Sequence, residues 1–168
     1  MRYSRSKYAR TNKYVIMQIS KHISYKEAVH SATAKRRGLN NTPNDNQLDN
    51  MYKIADFIFE PLRMYVGGAI KITSFFRSPE VNTAIGGSTN SQHCKGQAID
   101  IDDVFGHKTN FEMFQYIREN LDFDQLIYEF GTNDNPDWIH VSYVSKKENR
   151  NRVLRAIREN GKTKYELY

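Results

Sequence analysis

From Ala98 to Asp102 the chain reads Ala-Ile-Asp-Ile-Asp, a period of two that only a strand with one face in a core and the other facing a cleft or solvent can satisfy. Ile99 and Ile101 take the core face, and Ala98, Asp100 and Asp102 the open one. Two carboxylates on one strand face need a partner. His93 stands just upstream, and Gly96 lets the backbone turn so that this imidazole comes back over the strand. A second alternating stretch, "DWIHVSY", puts Trp138, His140 and Ser142 on one face.

Two imidazoles and one carboxylate, with a fourth position left to water, make the open donor set of catalytic zinc, whereas a structural site is closed by four protein ligands. Neutral histidines and one acid leave the metal about one positive charge, which lowers the pKa of its water toward about 7. Asp137, three residues before His140, is then a candidate to hold that water and carry its proton to a leaving amine. Alternation does not choose between Asp100 and Asp102.

The remaining segments predict an α+β fold, a small and mostly antiparallel sheet of three or four strands with helices on one side. "AIKITSFF", "QAIDID", "QLIYEF" and "DWIHVSY" are the strands. Leu48, Met51, Ala55, Ile58, Leu62 and Tyr65 form an apolar helical stripe that Pro61 should kink and "VGG" should end. Ser24 and Ser78 cap short helices, and Phe111, Phe114 and Leu121 outline another. Val153, Leu154 and Ile157 outline a last helix ending at Asn160-Gly161.

With 168 residues and a single cysteine, the chain suits one domain held by packing, without a disulfide. Residues 1–20 read as a basic arm and 21–168 as the domain. The longest apolar run near the start, "YVIM", is too short for a secretory signal, and no stretch reaches membrane-span length. A net charge of +6, concentrated at the two ends, favours an anionic partner such as a bacterial cell wall. Nucleic acid is the weaker reading, because the motifs give it no support.

"SQHCKGQAID", taken with "SFFRSP" upstream and "DWIH" downstream, resembles the zinc D-alanyl-D-alanine carboxypeptidase family, which also contains vancomycin-resistance D,D-dipeptidases and phage L-alanyl-D-glutamate endopeptidases. The likeness runs from about Ile23 to Tyr143, with three motifs in order. It implies a D,D-peptidase or hedgehog-like fold and Zn2+ on His93, Asp100 and His140, so that it selects Asp100 over Asp102. It implies Asp137 as general base and acid, in a place where many members carry Glu. Arg77 would polarise the scissile carbonyl or bind a substrate carboxylate, and Ser91 would help bind substrate. The substrate implied is a peptidoglycan stem peptide, cut by a carboxypeptidase or an endopeptidase. A small phage-type endolysin, made in the cytoplasm and reaching the wall after lysis or in a virion, fits a chain without an export signal. A non-catalytic zinc protein of the virion or wall is the alternative.

The remaining candidates read as structural. Cys94 is a small buried thiol beside a ligand, and His22, His30 and His107 are surface residues without a carboxylate at ligand spacing. Asp102 and Asp103 cap a turn or orient His93. Glu129, at the end of "QLIYE", has no assigned role.

Overall fold

The computed structural model describes residues 17–168. The basic stretch 1–16 therefore lies outside the described residues, while Gln18 bridges to Ser24 and Ile19 is buried.

Serines and asparagines start the helices as their chemistry requires. Ser24 accepts from the Glu27 N–H ahead of α1 (Tyr25–Ala28), and Ser31 caps α2 (Ala32–Arg37) in the same way. Asn44 and Gln47 form a reciprocal capping box on α3 (Asp45–Ile54). The apolar stripe continues through a π-helical turn (Ala55–Phe59) into α4 (Glu60–Val66), which Gly67 ends at φ 70°. Pro61 has no N–H to donate to the preceding turn, and the break falls as that single wide turn, with the Glu60 N–H reaching the Ala55 carbonyl.

β1 (Lys71–Ser74), α5 (Pro79–Ala84, capped by Ser78), β2 (Ala98–Asp102), α6 (Asn110–Asn120), β3 (Gln125–Glu129) and β4 (Trp138–Ser142) follow. The sequence-predicted last helix is a β-hairpin instead, β5 (Arg152–Glu159) and β6 (Lys162–Leu167). The three apolar positions at 153, 154 and 157 imitate a helical stripe, yet in the strand they divide between faces. Val153 packs toward the helices, and Leu154 joins Ile127 and Ala156 on the opposite side. Asn160 and Gly161 both have positive φ, 51° and 76°, the pair that a two-residue hairpin turn requires. The same dipeptide serves as a helix end, which is why it misleads.

Six strands therefore form one sheet in the order β1-β2-β4-β3-β5-β6, antiparallel at every junction except β3 with β5. One face carries the core: Ile99, Ile101, Leu126, Tyr128, Ile139 and Val141. Against them pack Met51, Ile54, Ile58 and Leu62 of the long helical segment and Met113, Phe114 and Ile117 of α6. No described helix is long and apolar enough to cross a membrane. The other face of the sheet is left for the site.

Candidate functional site

Between α5 and β2 the chain makes a short 3-10 turn, Gln92–Lys95, that ends at Gly96 with φ 69°. A Cβ at Gly96 would lie 2.3 Å from the Gln47 carbonyl oxygen, so the tight pass against α3 requires glycine as much as the left-handed backbone does. This turn lays His93 over β2. Its ring is buried, and Nδ1 lies 2.7 Å from the Phe75 carbonyl oxygen, an acceptor only, so Nδ1 carries the proton and donates. Nε2 is thereby left with a lone pair, directed at Asp100.

β2 and β4 pair with Asp100 opposite His140. His140 Nδ1 stands 2.8 Å from Asp100 Oδ1, and His93 Nε2 stands 3.2 Å from Asp100 Oδ1 and 3.3 Å from His140 Nδ1. The three form the one group of metal-binding type among the described residues. A tetrahedral zinc with bonds of roughly 2.0 Å spaces its ligand atoms roughly 3.3 Å apart, close to these separations. The donor set also fits electronically. Burial pushes the His93 pKa down, which favours the neutral imidazole that binds metal. Burial alone would raise the Asp100 pKa, but its contacts with the two imidazoles, His93 and His140, outweigh it and hold this carboxyl far below the usual range. Lone pairs converge here, and a cation is the partner they lack.

The cluster lies in a cleft of about 600 Å³ on the open face of the sheet. Arg77 and Ser91 both line it, and the buried Nε of Arg77 has no hydrogen-bond partner. Asp137 does not line it. That residue is exposed, its backbone N–H is donated to the Glu129 carbonyl at 2.9 Å, and its carbonyl accepts from Asn110 Nδ2 at 3.1 Å. Trp138 forms part of the wall, leaning on Phe130 with ring centroids 5.3 Å apart.

Sequence reasoning left Glu129 without a role, and the structure puts it in the cleft. It is 7% exposed, and its carboxyl is pushed up to about 7, chiefly by burial, with the Asp100 charge adding and His140 working against. Alternation along "QLIYE" places Gln125, Ile127 and Glu129 on one face; only the pairing of Ile127 with His140 and Glu129 with Trp138 shows that this is the face that carries His140. The hairpin closes the far side with Arg152, Arg158, Thr163 and Tyr165. Burial and the charges of Glu129 and Asp100 push the Tyr165 phenol up.

Other candidates fall outside the site. Cys94 is half-buried and absent from the ligand group, with burial raising its thiol pKa. Asp102 accepts from the Asp103 N–H at 2.8 Å and from Asn110 Nδ2 at 2.9 Å, so it ties a turn and does not orient His93. His22 is not a bare surface residue. It is half-buried, and its Nδ1 lies 2.6 Å from Glu60 Oε2, a partner 38 positions away that no local spacing could indicate.

No curated protein matches the chain. The sequence pattern of the family described as Peptidase M15 matches residues 21–142, from the segment before α1 to the end of β4, and that match contains all three proposed metal ligands. On that match, which spans well over half its length, the chain belongs to the Peptidase M15 family of metallopeptidases.

Proposed function

We propose that this protein hydrolyses a peptide bond in the stem peptides of bacterial peptidoglycan, with zinc held by His93, Asp100 and His140. The observation that carries the reading is the convergence of these three side chains at the base of an arginine-walled cleft. When bound there, zinc supplies a Lewis acid and lowers the pKa of a water. The protein supplies position and charge. Phe75 holds His93 in one tautomer. Arg77, which lines the cleft, is suited to polarise the scissile carbonyl or to take a substrate carboxylate. Ser91 lines the same cleft and offers a hydroxyl to the peptide.

Arg152 and Arg158 add positive charge on the opposite wall and have no carboxylate partner among the described residues. Stem peptides carry several free carboxylates, so a cleft flanked by arginines on both sides suits them better than a neutral peptide. The net positive charge of the chain, +6, also draws it to an anionic wall. A D-Ala-D-Ala carboxypeptidase and an L-Ala-D-Glu endopeptidase share this chemistry, and the reading covers both.

The test is a digest of purified peptidoglycan with zinc-replete protein, with and without a chelator, analysed by mass spectrometry. Released D-alanine identifies a carboxypeptidase and a cut after L-alanine an endopeptidase, and either product must vanish with the chelator. A folded, zinc-bound protein that cleaves none of several wall chemistries would instead be a non-catalytic zinc-binding protein of the wall or virion.

A further inference from the structure

We infer that the β5–β6 hairpin carries a carboxylate-recognition subsite, formed by Arg158, Thr163 and Tyr165, that selects substrates with a free acidic group about two or three residues from the cleaved bond. The inference rests on the peptidase reading above and names the substrate feature that the cleft recognises.

Strand register brings the three side chains together. Arg158 stands opposite Thr163 across β5 and β6, and Tyr165 follows two residues along β6, opposite Ala156. Positions two apart on a strand share a face. All three side chains therefore lie on the face of Leu154 and Ala156, and all three line the cleft that holds His93, Asp100 and His140. Lys162, Lys164 and Glu166 alternate onto the other face of β6 and do not line the cleft.

The donors are those that a carboxylate takes: a guanidinium fork, a hydroxyl and a phenol. The Arg158 guanidinium is held 4.7 Å from the centre of the Phe130 ring and has no carboxylate partner among the described residues, so its charge is placed and unmet. The two acids of the cleft do not pair with it. Asp100 is engaged by the imidazoles, and the Glu129 carboxyl is pushed up to about 7, chiefly by burial, so that it is only partly charged at neutral pH. The Tyr165 phenol is pushed up by burial and by the charges of Glu129 and Asp100, which keeps it a donor.

Sheet geometry sets the reach. Leu154 of β5 lies in register with His140, two strands away through Ile127. With strands about 4.8 Å apart and about 3.3 Å per residue, the backbones of Arg158 and Tyr165 each lie roughly 16 Å from that of His140. Side chains extended into the cleft leave roughly 10 Å, the length of about three residues of extended peptide. Acids on the residues that flank the cleaved bond are too near to reach the hairpin. The hairpin also lies beyond the family match, which ends at residue 142, so the shared motifs do not determine what it binds.

The test starts from a wall peptide that the wild type cleaves and moves one free carboxylate stepwise away from the cleaved bond on either side, each peptide compared with its amide. Amidation two or three residues away should lower kcat/KM about tenfold, the size of one charge-assisted hydrogen bond. In Arg158→Ala that effect should vanish, and in Tyr165→Phe and Thr163→Val it should shrink, with kcat within a few-fold of wild type and zinc content unchanged. Lys164→Ala removes the same charge from the opposite face of β6 and should keep the whole effect. A wild type indifferent to amidation at these positions, full retention of the effect in R158A, or its equal loss in K164A overturns the subsite. If R158A does not fold, Arg158→Gln carries the same comparison. A wild type that holds zinc and cleaves no wall peptide overturns the peptidase reading itself, and is distinct from each of these outcomes.

Discussion

The ring of His93 is joined to the Phe75 carbonyl through an Nδ1 to O distance of 2.7 Å, and this one hydrogen bond decides which nitrogen faces Asp100 and His140. It fixes the tautomer and aims Nε2 at Asp100 and His140. His93→Ala is therefore expected to reduce zinc content from one per chain to near zero, read by atomic emission, together with peptidase activity. Zinc at 100 times its dissociation constant should stabilise the wild type by about 2.7 kcal/mol, seen as a rise in Tm of roughly 5–10 °C. The variant should show no rise.

Asp124 is the anchor of the turn that presents His93. Its carboxylate takes Gln92 Nε2 at 2.9 Å and the Arg150 guanidinium at 2.8 and 2.5 Å. Burial works to raise its pKa, but hydrogen bonds from Arg150 and Gln92 outweigh this and hold the carboxyl below the usual range. A depressed folded-state pKa gives stability that is present above the unfolded value, about 3.9, and is lost as pH falls through the folded one. Asp124→Asn should therefore lower Tm at pH 7, with the gap to wild type closing in thermal melts as pH falls below the unfolded value of about 3.9 and through the depressed folded one. A gap that is constant with pH would show that charge is not its source.

Gly96→Ala tests the close approach of the ligand turn to α3. The left-handed backbone costs an alanine roughly 1–2 kcal/mol, and the new Cβ would meet the Gln47 carbonyl oxygen at 2.3 Å. A lower Tm is expected, together with weaker zinc binding, because relief of the clash moves the turn that carries His93. Gly161→Ala, also at positive φ but with open space around it, should lower Tm and leave zinc affinity unchanged.

The β5–β6 hairpin lies beyond the family match and supplies the second arginine wall. Arg158 is held over the Phe130 ring at 4.7 Å, so its charge has a fixed place. Arg158→Ala should raise KM for an acidic stem peptide several-fold with little change in kcat, the pattern of lost ground-state binding. Amidation of the substrate carboxylates should shrink that difference in steady-state assays.

Much of the site was legible because it is built from local rules. A His, a Gly and an Asp within eight residues of one another place two members of the His93, Asp100 and His140 cluster and the turn between them, and the Ser24 and Ser78 caps appear where side-chain oxygens start helices. What could be read wrongly was any segment whose pattern serves two structures. Val153, Leu154 and Ile157 fit a helix as well as a two-faced strand, and Asn160-Gly161 fits a helix end as well as a hairpin turn. The His22 and Glu60 pair had no sequence signal because its partners meet only through tertiary contact.

The sequence by itself determined which side chains share a strand face, since alternation is a property of a single strand: Asp100 apart from Ile99 and Ile101, and Glu129 with Ile127. Tertiary structure decided what each face meets. Strand register, set by packing of the opposite face on the helices, brought Asp100 across from His140 and Glu129 diagonal to it. Burial under a hairpin from the far end of the chain then separated the two acids. Asp100, against two imidazoles, stays ionised, while Glu129, desolvated, is pushed up to about 7.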